Sequence, residues 1–131
     1  SLVYAYGVGV DMTRRDLQGE AKEKSRPWEA GKTFLHAAPC AALRKCFEAG
    51  ELNDASITLR VNGETRQAGN VNQMIWKVPE IISRLSALFV LQPGDMIYTG
   101  TPSGVGPIQP GDQVSAKIDG LSELSFKVSS A

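Results

Sequence analysis

Apolar and polar positions along this chain fall into short blocks whose period changes from block to block. Residues 2–10 are rich in Val and Tyr with interspersed Gly, which predicts a buried strand with close backbone approaches, delivering Asp11 at its end. Residues 13–24 are mostly polar, but Leu17 and Ala21 stand four apart, the spacing of a one-sided helix with Asp11 or Thr13 as N-cap. Pro27 stops any continuation. Ile57-Thr58-Leu59-Arg60-Val61 alternates strictly, and Asn62-Gly63 supplies the positive-φ pair of a tight hairpin returning through residues 64–67. Ile81, Ile82, Leu85, Leu88 and Phe89 follow helical spacing, so residues 78–89 are expected to form a helix with Pro79 in its first turn and one face buried. Two Pro-Gly-Asp turns, at Pro93-Gly94-Asp95 and Pro110-Gly111-Asp112, precede the apolar segments 96–98 and 114–118, read as strands. Residues 124–128 alternate again. The sum is a mixed, β-rich α+β fold with one or two short helices, a single domain over residues 1–131 without repeats or linkers.

Composition narrows the function classes. Fourteen basic and fourteen acidic residues cancel, which removes the electrostatic footprint expected of a nucleic-acid or anionic-membrane partner. Apolar runs such as residues 87–91 are far shorter than the roughly 20 residues a bilayer span needs. Cys40 and Cys46 are the only cysteines, too few for a secreted disulfide scaffold, so a reducing, cytoplasmic setting is expected. His36, Cys40 and Cys46 match no common zinc spacing. The chain starts with Ser1 and opens straight into a strand pattern, which suggests a piece of something longer.

Candidate chemistry is sparse. Asp11, where a strand gives way to a polar helix, suits either a hard cation or a helix N-cap. Arg15 and Gln18 offer a guanidinium fork and an amide on one helical turn, able to bind a carboxylate or carbonyl or simply to face solvent. Lys32, after Gly31 and between Trp28 and Phe34, is either a surface lysine or an ammonium in a partly apolar pocket beside a developing oxyanion. Residues 100–106, Gly-Thr-Pro-Ser-Gly-Val-Gly, form a tight turn or an anion cradle around Thr101, and no Gly-Lys-Ser/Thr follows to make a Walker loop.

These pieces, in this order, resemble the C-terminal core of the fumarylacetoacetate hydrolase family. The likeness is carried by Gly9-Val10-Asp11-Met12-Thr13-Arg14-Arg15-Asp16-Leu17-Gln18, by Gly31-Lys32-Thr33-Phe34, by residues 61–67, by Met74-Ile75, and by residues 93–106. Asp11-Met12-Thr13 and the Gly104-Val105-Gly106-Pro107 ending are most similar to the acylpyruvate hydrolase and oxaloacetate decarboxylase branch. The resemblance implies a rolled β-sheet, a homodimer, Mg2+ or Mn2+ as cofactor, and a small 2-oxo acid substrate. It implies Asp11 as a metal ligand, Lys32 as the catalytic lysine beside the metal, and Arg15, Gln18 and Thr101 as substrate contacts. The implied activity is cleavage of a C–C bond in an acylpyruvate or fumarylpyruvate-type 2,4-dioxo acid. Oxaloacetate decarboxylation, dienedioate isomerisation and a non-catalytic role keeping only fold and dimer surface are the alternatives. Two departures stand out. Some members place a threonine four residues after the lysine, where this chain has His36, and the family's Glu-x-Glu metal ligands and lid His/Glu pair precede the region matched here.

Overall fold

The computed structural model describes residues 2–50 and 52–130, so the outermost residues of the expected 1–131 domain lie outside the described residues. Its centre is a four-stranded antiparallel sheet in which β3 (Ser56–Val61) lies between β4 (Glu64–Asn70) and β5 (Gln113–Ile118), with β6 (Leu124–Lys127) outside β5. Asn62 at φ 52° and Gly63 at φ 82° close the β3–β4 hairpin with both residues in the left-handed region, as the Asn-Gly pair predicts. Pairing of Ile57 with Ile118, Leu59 with Ala116 and Val61 with Val114 puts one apolar row of each strand on a common face. Val8, Ala116 and Leu124 are buried together there, with Val10, Leu59, Ile118 and Phe126 packed around them.

Both Pro-Gly-Asp turns form, and by the same device. Asp95 accepts from the Gln92 backbone N–H at 2.7 Å, and Asp112 accepts from that of Gln109 at 2.8 Å, each carboxylate closing its own turn. Only the second leads into a ladder. Residues 96–98, expected as a strand, pair with no other strand among the described residues, because alternation sets which side a residue faces but does not supply a partner edge.

Residues 2–10 depart from expectation for a related reason. The ladder shrinks to β1 (Ala5–Tyr6) against β2 (Arg44–Lys45), then continues as single bonds: Ala41 N–H to Val8 O, Val10 N–H to Pro39 O and Met12 N–H to Ala37 O. The register slips by one residue between the Tyr6–Arg44 pair and the Gly9–Cys40 bridge, and at the far end Pro39, facing Val10, has no N–H to return.

The helices are shorter than their patterns. α1 (Arg15–Glu23) follows Arg14 as N-cap, so neither Asp11 nor Thr13 caps it. It ends four residues before Pro27, consistent with the predicted stop. Two single turns, α2 (Glu29–Lys32) and α3 (Cys46–Ala49), add to the one or two helices expected. α4 (Val78–Ser86) starts with Pro79 in its first turn and Glu80 accepting from the Lys77 N–H at 2.7 Å. Its apolar stripe is not buried among the described residues: Ile81, Ile82 and Leu85 are half-covered. The continuation past Ser86 lies open, with Leu88 77%, Phe89 62% and Val90 85% exposed.

Candidate active site

Asp11 and Lys32 are 21 positions apart in sequence and meet in space. The Lys32 ammonium donates to Asp11 Oδ2 at 2.6 Å and to Thr13 Oγ1 at 2.9 Å. The geometry behind this meeting starts at Gly31. A Cβ built there would lie 3.2 Å from the Gln18 backbone nitrogen and 3.3 Å from the Arg14 carbonyl, so glycine lets α2 settle against the start of α1. Arg14 N–H donates to the Gly31 carbonyl at 2.9 Å and fixes that contact. Lys32, the last residue of α2, is thereby carried to the end of the segment bearing Asp11. Thr13, weighed from sequence only as a cap, is instead part of this cluster.

The neighbours of Lys32 are oxygens more than rings. Phe34 instead lies beneath the Arg14 guanidinium, 4.6 Å from its centroid, and Trp28 is about half exposed. That differs from the expected aromatic walls, because the Phe34 ring is occupied by Arg14, the N-cap of α1. The Asp11–Lys32 pair is partly exposed, with side chains 56% and 31% accessible, so its weight is in geometry rather than stability.

Thr101 is held from the other side of the chain. Buried Gln67 donates through Nε2 to Thr101 Oγ1 at 2.8 Å and to the Pro102 carbonyl at 2.7 Å. Its inward position comes from an irregularity. Val61 pairs with Glu64 and Arg60 with Thr65, but Leu59 pairs with Gln67, leaving Arg66 as an extra residue. Without that bulge Gln67 would oppose Thr58 on the outer face; with it, Gln67 shares the face of Leu59. Gly104, at φ 97°, approaches the same bulge so closely that a Cβ there would overlap the Arg66 carbonyl oxygen. Pro102 packs over Gly69, whose Cβ would lie 3.1 Å from it. The loop of residues 100–106 is thus an anchored turn on β4. Sequence reading assigned Gln67 no role; the available signal was an amide two positions before Gly69 in a short strand, and the bulge that turns it inward leaves no mark in the pattern.

Arg15 stands exposed in the first turn of α1 and Gln18 half-buried within it. Tyr98, not singled out from sequence, donates its hydroxyl to the Ala38 carbonyl at 2.8 Å. Burial holds its phenol above the ordinary range, and neighbouring Cys40 and the Asp11 carboxylate act in the same direction. Cys40 and Cys46 are free thiols.

As a home for a hard divalent cation, Asp11 offers the right donor: an accessible carboxylate at a fixed chain position. No group of three His, Cys, Asp or Glu side chains able to hold a metal occurs among the described residues. These residues therefore fit one corner of an oxygen-ligand site and do not complete it.

The family model described as Fumarylacetoacetate (FAA) hydrolase C-terminal matches residues 1–129. The chain belongs to the fumarylacetoacetate hydrolase family, a family of enzymes. It is 45% identical over 130 residues to the fumarylpyruvate hydrolase of Ralstonia sp, an alignment covering 99% of this chain and 67% of that protein. It is 42% identical over 126 residues to the oxaloacetate tautomerase of Mus musculus, covering 96% of this chain and 57% of the relative. The crystal structure of fumarylpyruvate hydrolase from Pseudomonas aeruginosa in complex with Mn2+ and pyruvate superposes with TM-score 0.95 at 47% identity, covering 98% of this chain and 55% of that one. The chain thus spans between about half and two thirds of the length of these relatives, and it has the expected mixed α+β class, superposing on solved structures of the family.

Proposed function

We propose that this chain is the catalytic core of a divalent-metal-dependent hydrolase that cleaves a C–C bond in an acylpyruvate or fumarylpyruvate-type 2,4-dioxo acid. The observation that carries the reading is the cluster of Asp11, Thr13 and Lys32, closed by bonds of 2.6 and 2.9 Å. The relatives support the substrate class: one is named fumarylpyruvate hydrolase, and a solved neighbour holds Mn2+ and pyruvate.

In this reading Asp11 is one ligand of Mg2+ or Mn2+, and the cation when bound supplies Lewis acidity toward the 2-oxo acid. Hydrolysis adds water to the acyl carbonyl. The C–C bond then breaks, its electron pair passes to the pyruvate unit, and that unit takes up a proton. Negative charge grows on the 2-oxo oxygen during cleavage, and a fixed ammonium at Lys32 stabilises it without reorganisation. Asp11 and Thr13 hold that ammonium in place. Arg15 and Gln18 bind the substrate's carboxylate and carbonyl groups, and Thr101, fixed by Gln67, orients its far end.

A second reading, enol–keto or decarboxylation chemistry on oxaloacetate, is favoured by the 42% identity to oxaloacetate tautomerase and uses the same residues. Assembly as a homodimer is supported by the open apolar surface at Leu88, Phe89 and Val90, and sedimentation of the intact protein checks it. A cytoplasmic setting is supported by the free thiols, and no described helix is long and apolar enough to cross a membrane.

The deciding experiment gives the intact protein Mn2+ and, in parallel, fumarylpyruvate and oxaloacetate, following product by absorbance and chromatography. Mn2+-dependent release of pyruvate from fumarylpyruvate is the expected result. Turnover of oxaloacetate alone would transfer the assignment to the second reading, and no turnover of either would remove both of these readings.

A further inference from the structure

Gly9 stands two residues before Asp11, and its hydrogens face a ring. A Cβ built on Gly9 would lie 2.5 Å from Cε1, 3.0 Å from Cζ and 3.1 Å from the hydroxyl of Tyr98, so the tyrosine fills the space a side chain would need. Val8 and Val10 pack into the core, and the two-residue period of extended chain puts Gly9 and Asp11 together on the other side. The Tyr98 ring therefore lies one step along the same side from Asp11. Its hydroxyl reaches across to the facing segment and donates to Ala38 O at 2.8 Å. Ala38 sits between Ala37 and Pro39, the two residues whose carbonyls accept from Met12 and Val10. One side chain thus grips both halves of the irregular ladder that presents Asp11.

Three residues further on, Thr101 and Pro102 are tied to β4 through Gln67. Three residues of chain reach at most about 10 Å, so pinning position 98 to the Asp11 ladder restricts where the loop can stand relative to it. We propose that Tyr98 is a positioning residue that sets the separation between Asp11 and Thr101. The proposal rests on the reading of Asp11 as metal ligand and Thr101 as substrate contact. It also gives Gly9 a purpose: any larger residue there would push the ring, and with it the loop.

The test uses intact protein with Tyr98→Phe, Gly9→Ala, Tyr98→Ala and the Gly9→Ala/Tyr98→Ala pair, measuring Mn2+ affinity by calorimetry, and kcat and KM on the substrate that the wild type turns over. Tyr98→Phe keeps the ring and loses only the bond to Ala38. It is expected to lower kcat by about 10-fold or more, as misplacement of reacting groups does, while Mn2+ affinity moves less than about threefold. Gly9→Ala is expected to match that loss in the wild-type background and to add less than about twofold in the Tyr98→Ala background, where no ring remains to be displaced. Unchanged kcat in Tyr98→Phe overturns the proposal, as does a Gly9→Ala penalty that is the same in both backgrounds. If Gly9→Ala fails to fold, the kcat and Mn2+ results for Tyr98→Phe decide alone. A wild type that binds no Mn2+ removes the functional reading and this proposal with it; a wild type that binds Mn2+ and turns over, with silent variants, removes only the role of Tyr98.

Discussion

In the four-stranded sheet β3, β5 and β6 are joined by unbroken ladders with rows of apolar cross-strand pairs and β4 by a ladder broken only at the Arg66 bulge, whereas the Asp11 segment meets its partner through a two-residue ladder, one bridge and a few single bonds. The buried residues divide the same way, since Val61, Val114, Ala116 and Leu124 belong to the sheet and Val8 is the buried hydrophobe of the opening segment. Yet the opening segment carries Asp11 and Thr13, with Lys32 brought to them from α2. Most of the buried core and the candidate chemistry thus sit on different residues, so Asp11 or Lys32 can be changed without removing a buried side chain.

That division can be broken from either side. The largest effect is expected from Asp11→Ala: loss of Mn2+-dependent turnover on the order of 10³-fold with the melting temperature of the intact protein nearly unchanged, checked by steady-state kinetics beside calorimetry. A large fall in melting temperature would show the segment to be part of the stabilising core after all. Lys32→Met keeps the stem and removes the charge, so kcat is expected to drop about 10²-fold with Mn2+ affinity far less affected. Near-normal kcat with a raised KM would make Lys32 a ground-state contact.

Changes in the sheet are expected to show the reverse. Val114→Ala removes about two methylene equivalents from a site only 2% exposed and is expected to cost about 2 kcal/mol in denaturant unfolding, with kcat unchanged where the protein stays folded. Gln67→Leu crosses the boundary, because Gln67 belongs to the sheet and holds Thr101. Loss of its two hydrogen bonds is expected to cost about 1–3 kcal/mol and, by loosening Thr101, to lower kcat about 10-fold, the stability loss separating it from Lys32→Met.

The smallest effect concerns pH. Asp112 accepts from Gln109 N–H and Asn62 Nδ2, and these bonds hold its carboxyl below the usual carboxylate range. A depressed folded-state value means the contribution is present above the unfolded carboxylate pKa of about 3.9 and is lost as pH falls through the lowered value. Asp112→Asn is expected to flatten that acid limb slightly in pH-dependent unfolding while leaving turnover at neutral pH alone.

Local signals in the sequence determined the hairpin at Asn62-Gly63, both Pro-Gly-Asp turns, the start of α4 at Pro79, and the alternating faces of β3, β5 and β6, because each depends on residues within a few positions of one another. The order of Gly9 to Gln18, Gly31-Lys32 and residues 93–106 also determined the family. Tertiary structure decided which elements found partners. Residues 96–98 carry a strand pattern but form no ladder among the described residues, and a one-residue slip after Tyr6, then Pro39, interrupt the pairing that residues 2–10 invite. It also decided the site: the Lys32–Asp11–Thr13 cluster needs Gly31 to admit α1, and Gln67 faces Thr101 only because Arg66 is extra in β4. Contacts between residues distant in sequence depend on register and close approach, and a single inserted residue or a missing N–H changes them while leaving the local pattern intact.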